Sequence, residues 1–134
     1  MVCLARFEQD PMNEVLNLWS PILKENQVLN LQLHPLQKQV NQVKLVESLE
    51  DINVQTVNEV GVDINLLVEH EHFHNQLQFL SGLGPRKALR YIQNLKARKP
   101  IYNRDMIKKE NILGDKCFGS SAGFTKVRVP LDKR

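Results

Sequence analysis

The sequence predicts a mainly α fold: a long bracing helix and a short helical N-terminal segment, followed by two tandem hairpins of helices over residues 57–124. Three observations carry this expectation. Glycines and a proline fall together in Gly82-Leu83-Gly84-Pro85, between two apolar stripes of helical spacing. A weaker copy of that arrangement returns at Ile112-Leu113-Gly114, and an internal repeat of a helical unit implies two copies packed on each other. Between Leu36 and Val60 apolar side chains recur at helical intervals, and Gly61 stands where such a helix would stop.

Composition sets the outer limits. The chain has 134 residues, enough for one ordinary domain or two very small ones. No stretch reaches the roughly 20 apolar residues of a membrane span. The N-terminus lacks a signal-peptide pattern, so no membrane partner and a cytosolic or nuclear setting are expected. Cys3 and Cys117 lie far apart without close-spaced partners, which argues for reduced thiols over a disulfide framework or a zinc site. The net charge of +3 conceals a division: residues 1–85 carry 4 Lys or Arg against 11 Asp or Glu, and residues 86–134 carry 14 against 4. The basic block is the half with the hairpins, the sign a phosphate-binding face requires. A solvated surface meeting the acidic half is the alternative.

In chain order, residues 3–9 are too short and mixed to assign. Asp10-Pro11 reads as a helix start, because aspartate caps orphan amides and proline suits the first turn. Met12, Val15, Leu16 and Trp19 then predict a helix of about ten residues, stopped at Ser20-Pro21, with Trp19 in the core. Leu29, Leu31 and Leu33 alternate with polar residues, which predicts a short extended piece ended by His34-Pro35. The long helix follows over residues 36–60, bent near Asn41, with Glu47, Glu50 and Asp51 on a solvated face. Residues 62–65 read as a loop in which Asn65 caps a short helical turn through Leu66, Leu67 and Val68. His70 and His74 would share a helix face beside His72, but no carboxylate or cysteine at ligand spacing completes the set, so no metal or other cofactor is expected.

The first hairpin is the centre of the design. Phe73, Leu77 and Leu80 lead into Gly82, expected at a helix C-cap with positive φ, while Pro85 starts the next helix. Leu80 and Leu83 wedge between the two helices, and small Ala88 lets the backbones approach. What remains outside is a loop of free N–H groups at a helix N-terminus, where an anion is favoured, with Arg86, Lys87 and Arg90 beside it. This is the pattern of a helix-hairpin-helix, which grips nucleic-acid backbone without reading bases. Ala88, Leu89, Ile92 and Leu95 form a helix ended by Pro100, and Asn103 caps another carrying Met106 and Ile107 inward. In the second hairpin Ile112 and Leu113 take the apolar places, Gly114 the turn and Lys116 the place of the mobile cation; with one glycine its anion site is expected to be poorer. Phe124 is expected to seal the base, residues 125–129 to be extended, and Asp132-Lys133-Arg134 to end a linker-like tail over 125–134.

Several stretches resemble one family, the nuclear transcription-elongation factor and histone chaperone called suppressor of Ty six and its bacterial relative Tex. They are Leu4-Ala5-Arg6-Phe7 with Gln9-Asp10-Pro11, His34-Pro35-Leu36-Gln37, residues 57–65, Leu77-Gln78-Phe79 with Leu80 to Ala88, and Leu113-Gly114 through Ala122-Gly123-Phe124. The resemblance covers nearly the whole chain. His34-Pro35-Leu36-Gln37 and the Gly-Leu-Gly-Pro-Arg-Lys run resemble the eukaryotic branch; Cys117 and Ser120 stand where the family pattern has valine and asparagine. It implies a Tex-like tandem helix-hairpin-helix domain over 57–124. It also implies that residues 1–56 follow a nuclease-like YqgF domain, and that this chain is a fragment of a larger protein or a truncated relative. Histone handling and docking on RNA polymerase II would belong to that parent protein, and the nucleus would be its place.

Three functions compete at this point. The first is a module binding DNA non-specifically by its backbone, with RNA as a second possible strand, through Gly82, Leu83, Gly84, Arg86, Lys87 and Arg90, assisted by Gly114 and Lys116. The second is a non-catalytic scaffold spacing domains of a large protein. The third is a base-excision glycosylase, which needs a catalytic aspartate shortly after the hairpin; Asp105 and Asp115 stand in the wrong context, so no catalytic residue is assigned.

Overall fold

The computed structural model describes residues 1–19, 27–98 and 101–128. Its order is α1 (Val2–Gln9), α2 (Pro11–Leu16), 3₁₀ helices at Gln27–Asn30 and Pro35–Gln39, α3 (Gln42–Val60), β1 (Val62–Asp63), α4 (Ile64–Glu69), a long 3₁₀ helix (Glu71–Phe79), α5 (Pro85–Ala97), α6 (Arg104–Lys109), α7 (Asp115–Ser121), a 3₁₀ turn (Ala122–Phe124) and β2 (Thr125–Lys126). The fold is mainly α, as expected.

Local chemistry explains most boundaries. The Asp10 carboxylate accepts from the Asn13 N–H at 3.1 Å, so α2 begins where the Asp-Pro pair places it. It ends at Leu16, shorter than expected; the supposed stop at Ser20-Pro21 lies outside the described residues. Leu16 and Trp19 are buried, with Trp19 edge-on to Phe79 at 5.9 Å. Residues 3–9, left unassigned by the sequence, lie in α1, none of whose side chains is buried.

The alternating leucines are a correction: Leu29 lies within the 3₁₀ helix Gln27–Asn30, and Leu31 and Leu33 are exposed. A period of two holds a strand only beside a partner, and here Gln37 engages the segment instead. Its side chain accepts from the Leu33 N–H at 2.9 Å and donates to the Leu29 carbonyl at 3.3 Å. The long helix breaks at Val40-Asn41, where bending was expected. Asn41 caps α3 through the Val43 N–H at 3.0 Å, and Gly61 closes it with φ +77°.

After Gly61 the chain forms a strand, not a loop. β1 runs parallel to β2, pairing Val62 with Thr125 and Asp63 with Lys126. Asp63, not Asn65, caps α4, accepting from the Asn65 N–H at 3.0 Å. Asn65 instead donates to the carbonyls of Ile101 and Arg128 at 3.1 and 2.8 Å. Residues 125–126 are extended as expected, whereas Val129 and the Asp132-Lys133-Arg134 tail lie outside the described residues. Phe124, expected to seal the base, is 36% exposed and lies outside the apolar cluster; the buried residues here are Ser121 and Thr125, with the Thr125 hydroxyl donating to the Ser121 carbonyl at 3.0 Å. Among the described residues one apolar cluster joins Leu16, Trp19 and Val57 to Leu77, Leu80, Leu95, Ile107 and Leu113, so α2, α3 and both hairpins share a core. No described helix is long and apolar enough to cross a membrane.

Candidate nucleic-acid interface

The first hairpin is a 3₁₀ helix, a β-turn and α5. Gly82 does not cap the preceding helix, whose C-cap is Leu80 in extended conformation. It sits at the third position of the turn Leu80–Leu83, closed by the Leu83 N–H on the Leu80 carbonyl at 3.0 Å. Its φ of +84° is what a type II turn demands there. A clamp from α3 holds this turn. The Asn58 side chain accepts from the Ser81 N–H at 3.1 Å and donates to the Ser81 hydroxyl at 2.7 Å. Leu80, Leu83 and Ala88 are buried, the wedge and the close approach expected of them.

The bend therefore divides into two parts. Ser81 and Leu83 have their amides engaged inside the chain, and Leu83 is 7% exposed, so Leu83 belongs to the core rather than to a contact surface. Gly82 faces the second hairpin: a Cβ there would stand 2.7 Å from the Ser120 Cβ and 3.3 Å from the Cys117 carbonyl. Gly84 opens outward, with nothing within 4 Å of where its Cβ would be. It is the N-cap of α5 and its carbonyl accepts from the Ala88 N–H at 2.8 Å; no side chain caps the helix. Among the described residues the amides of Gly84, Arg86 and Lys87 have no partner, at the positive end of a helix of 13 residues. The side chains of Arg86, Lys87 and Arg90 are exposed and form no ion pair among the described residues.

The second hairpin keeps the path and changes the chemistry. Gly114 was expected at its turn, but Asn111 holds the positive φ there (+52°), and the Ile112 N–H reaches back to the Ile107 carbonyl at 3.1 Å. Gly114 is instead the N-cap of α7, the counterpart of Gly84. Asp115 occupies the first-turn place that Pro85 holds in α5, 4.0 Å from Lys108, and puts a carboxylate where the first hairpin is open. Lys116 is exposed one residue further on. The two hairpins meet where Lys87 Nζ donates to Cys117 Sγ at 3.4 Å.

Beside this meeting point lies a cleft of about 290 Å³ lined by Lys87, Arg90, Tyr91 and Asn94 of α5 and by Asn111–Gly114 and Cys117. Tyr91 is 1% exposed and burial pushes its hydroxyl far above the ordinary tyrosine range; that hydroxyl has no hydrogen-bond partner among the described residues. Asn94 donates to the Ile112 carbonyl at 3.3 Å, tying α5 to the second turn. The sequence reading missed Asn58, Tyr91, Asn94 and Asn111; of these only Asn111 carried a local signal, since asparagine tolerates the left-handed region.

His70 is the N-cap of the 3₁₀ helix, the His70 and His72 rings lie 5.5 Å apart, and His72 stacks obliquely on Phe73 at 4.4 Å. No group of three potential metal ligands converges among the described residues.

Comparison with known proteins agrees with the architecture. A family model described as a helix-hairpin-helix motif matches residues 26–128. Over 94% of its length the chain is 40% identical to a Caenorhabditis briggsae protein named Suppressor of Ty 6 homolog, spanning 8% of that protein. It is 38% identical over 95% of its length to an Arabidopsis thaliana protein named Transcription elongation factor SPT6 homolog, and 33% identical over 92% to the Saccharomyces cerevisiae protein named Transcription elongation factor SPT6. In both cases the match spans 8% of the relative. The family resemblance seen in the sequence is thus the one these comparisons return.

Proposed function

The chain belongs to the helix-hairpin-helix family, and on that premise we propose that its first hairpin grips the phosphodiester backbone of DNA without reading sequence. One observation carries this: the amides of Gly84, Arg86 and Lys87 stand open at the N-terminus of α5 beside three unpaired cations. A phosphate oxygen placed there receives backbone hydrogen bonds, the helix dipole and mobile positive charge together. The contact set is Gly84, Arg86, Lys87 and Arg90, with Lys116 as an outlying cation; Leu83 leaves it and Gly82 shapes the turn. RNA presents the same phosphates and is a second strand for this edge.

The relatives named as transcription elongation factors supply the context. In this proposal the chain is the nucleic-acid module of a nuclear elongation factor that acts with RNA polymerase II and histones on chromatin. Residues 57–124 form the hairpin domain and residues 1–56 its brace, and the segment from Thr125 to Arg128 clasps back onto β1 instead of serving as a free tail. No catalytic step or cofactor enters it: Asp105 lies in the first turn of α6 and Asp115 in that of α7, each exposed.

The test is a salt titration of duplex DNA binding by fluorescence anisotropy, wild type against Arg86→Glu/Lys87→Glu. Wild type should lose affinity steeply with salt, and the double reversal should weaken binding at least tenfold and lower the salt slope by about 2. The second reading is a scaffold that spaces neighbouring domains, favoured by the Asn58–Ser81 clamp and by α7 covering Gly82. Unaltered DNA retention by the double reversal would leave the scaffold standing and remove the grip.

A further inference from the structure

We propose that the cleft between α5 and the second turn takes an unstacked base of the strand whose phosphate sits on the open amides of Gly84, Arg86 and Lys87. This deepens the proposed function and rests on it. Lys87 belongs to both places, its amide at the open edge and its side chain lining the cleft.

The size and chemistry of the cleft select the ligand. A volume of about 290 Å³ admits one nucleobase with part of its sugar, and no carboxylate among the described residues lines it. Its walls combine the apolar Ile112 and Leu113 with Arg90, Asn94 and Asn111. A bare phosphate would leave the apolar walls uncovered, and an aliphatic side chain would leave the polar groups unanswered. A base has flat apolar faces and a polar edge, and so meets both. Tyr91 adds an independent sign: it lines the cleft and keeps a buried hydroxyl that no described group satisfies. In an intact duplex the bases stay stacked and reach no such cleft, so the consequence is a preference for strands with free bases.

The experiment uses the chain with three fluorescent probes of equal phosphate number: a single strand of about ten thymidylates, the same strand with abasic residues, and a duplex. The base-bearing strand should bind about tenfold more tightly than the abasic strand, and the abasic strand no better than the duplex. Cys117→Phe, which fills the cleft without changing charge, should erase the difference and leave the weaker binding intact. Equal binding of base-bearing and abasic strands by the wild type overturns the inference, whatever the variant does. Arg86→Glu/Lys87→Glu separates the two failures. If it still weakens binding at least tenfold, the backbone grip stands and only the base cleft falls; if all probes bind the double reversal as before, the grip falls and the cleft with it.

Discussion

Gly82 and Gly84 are two residues apart and do different work. Gly82 has φ +84° and no room for a methyl group, since its Cβ would stand 2.7 Å from the Ser120 Cβ. Gly84 has φ −117° and open space. Gly82→Ala is expected to cost about 2 kcal/mol or more from the left-handed backbone and the clash together, while Gly84→Ala has room and should cost no more than about 1 kcal/mol, the difference between glycine and alanine at a helix N-cap. Thermal unfolding of both variants checks this, and equal losses would show that the two glycines are not so divided. Tyr91 gives the opposite sign. Its buried hydroxyl lacks a partner among the described residues, so Tyr91→Phe should raise the melting temperature of the free protein by a few degrees, about 1 kcal/mol; a fall would reveal a bonded hydroxyl.

At the scale of elements, the bracing helix α3 acts through one polar side chain. Asn58 holds the turn at Ser81 by two hydrogen bonds, so Asn58→Ala should destabilise the protein by about 1–2 kcal/mol and weaken DNA binding in parallel. Loss of stability without loss of binding would show that the clamp does not shape the edge. The 3₁₀ helix Glu71–Phe79 brings a pH dependence. Burial holds His74 below the ordinary imidazole value of 6.5, with Lys96 acting the same way and Glu71 opposing; burial also lowers His72, helped by Arg6 and His70 and opposed by Glu14 and Asp10. Below 6.5 the unfolded chain takes up protons that the folded chain refuses, so stability is full above that value and declines as pH falls through it toward the lowered folded values. Denaturant midpoints should therefore drop between about pH 7.5 and 5.5, and His74→Asn should flatten the slope. Glu50 is shifted upward by burial and then by Glu47 and Asp51, so its contribution has the opposite sign and favours the folded state as pH falls.

Over the whole molecule, the chain closes on itself through β1 and β2. Beyond the strand pairing, Arg128 approaches Asp63 at 3.5 Å and its carbonyl accepts from Asn65. Deleting the residues after Phe124 should lower the melting temperature by several degrees, about 2 kcal/mol or more for the lost backbone and side-chain bonds, as read by calorimetry. An unchanged melting temperature would mean that the clasp is ornamental to the core. The division of charge, −7 against +10 across residue 85, gives the molecule its acidic N-terminal and basic C-terminal blocks.

What the sequence determined by itself was whatever depends on neighbours along the chain. Asp10 and Asn103 cap their helices, Pro85 opens α5, Gly61 and Gly82 take positive φ, and the apolar stripe of Leu80, Leu83 and Ala88 is buried. Each is a local steric or hydrogen-bonding rule acting within a few residues. Only the tertiary structure decided which amides stay open, because that depends on Asn58 reaching Ser81 from 23 residues away and on α7 lying against Gly82. It also decided that Leu29, Leu31 and Leu33 form no strand, that Val62-Asp63 does, and that Phe124 faces outward. Strand pairing and burial are settled by partners distant in sequence, which a single chain read along its length does not display.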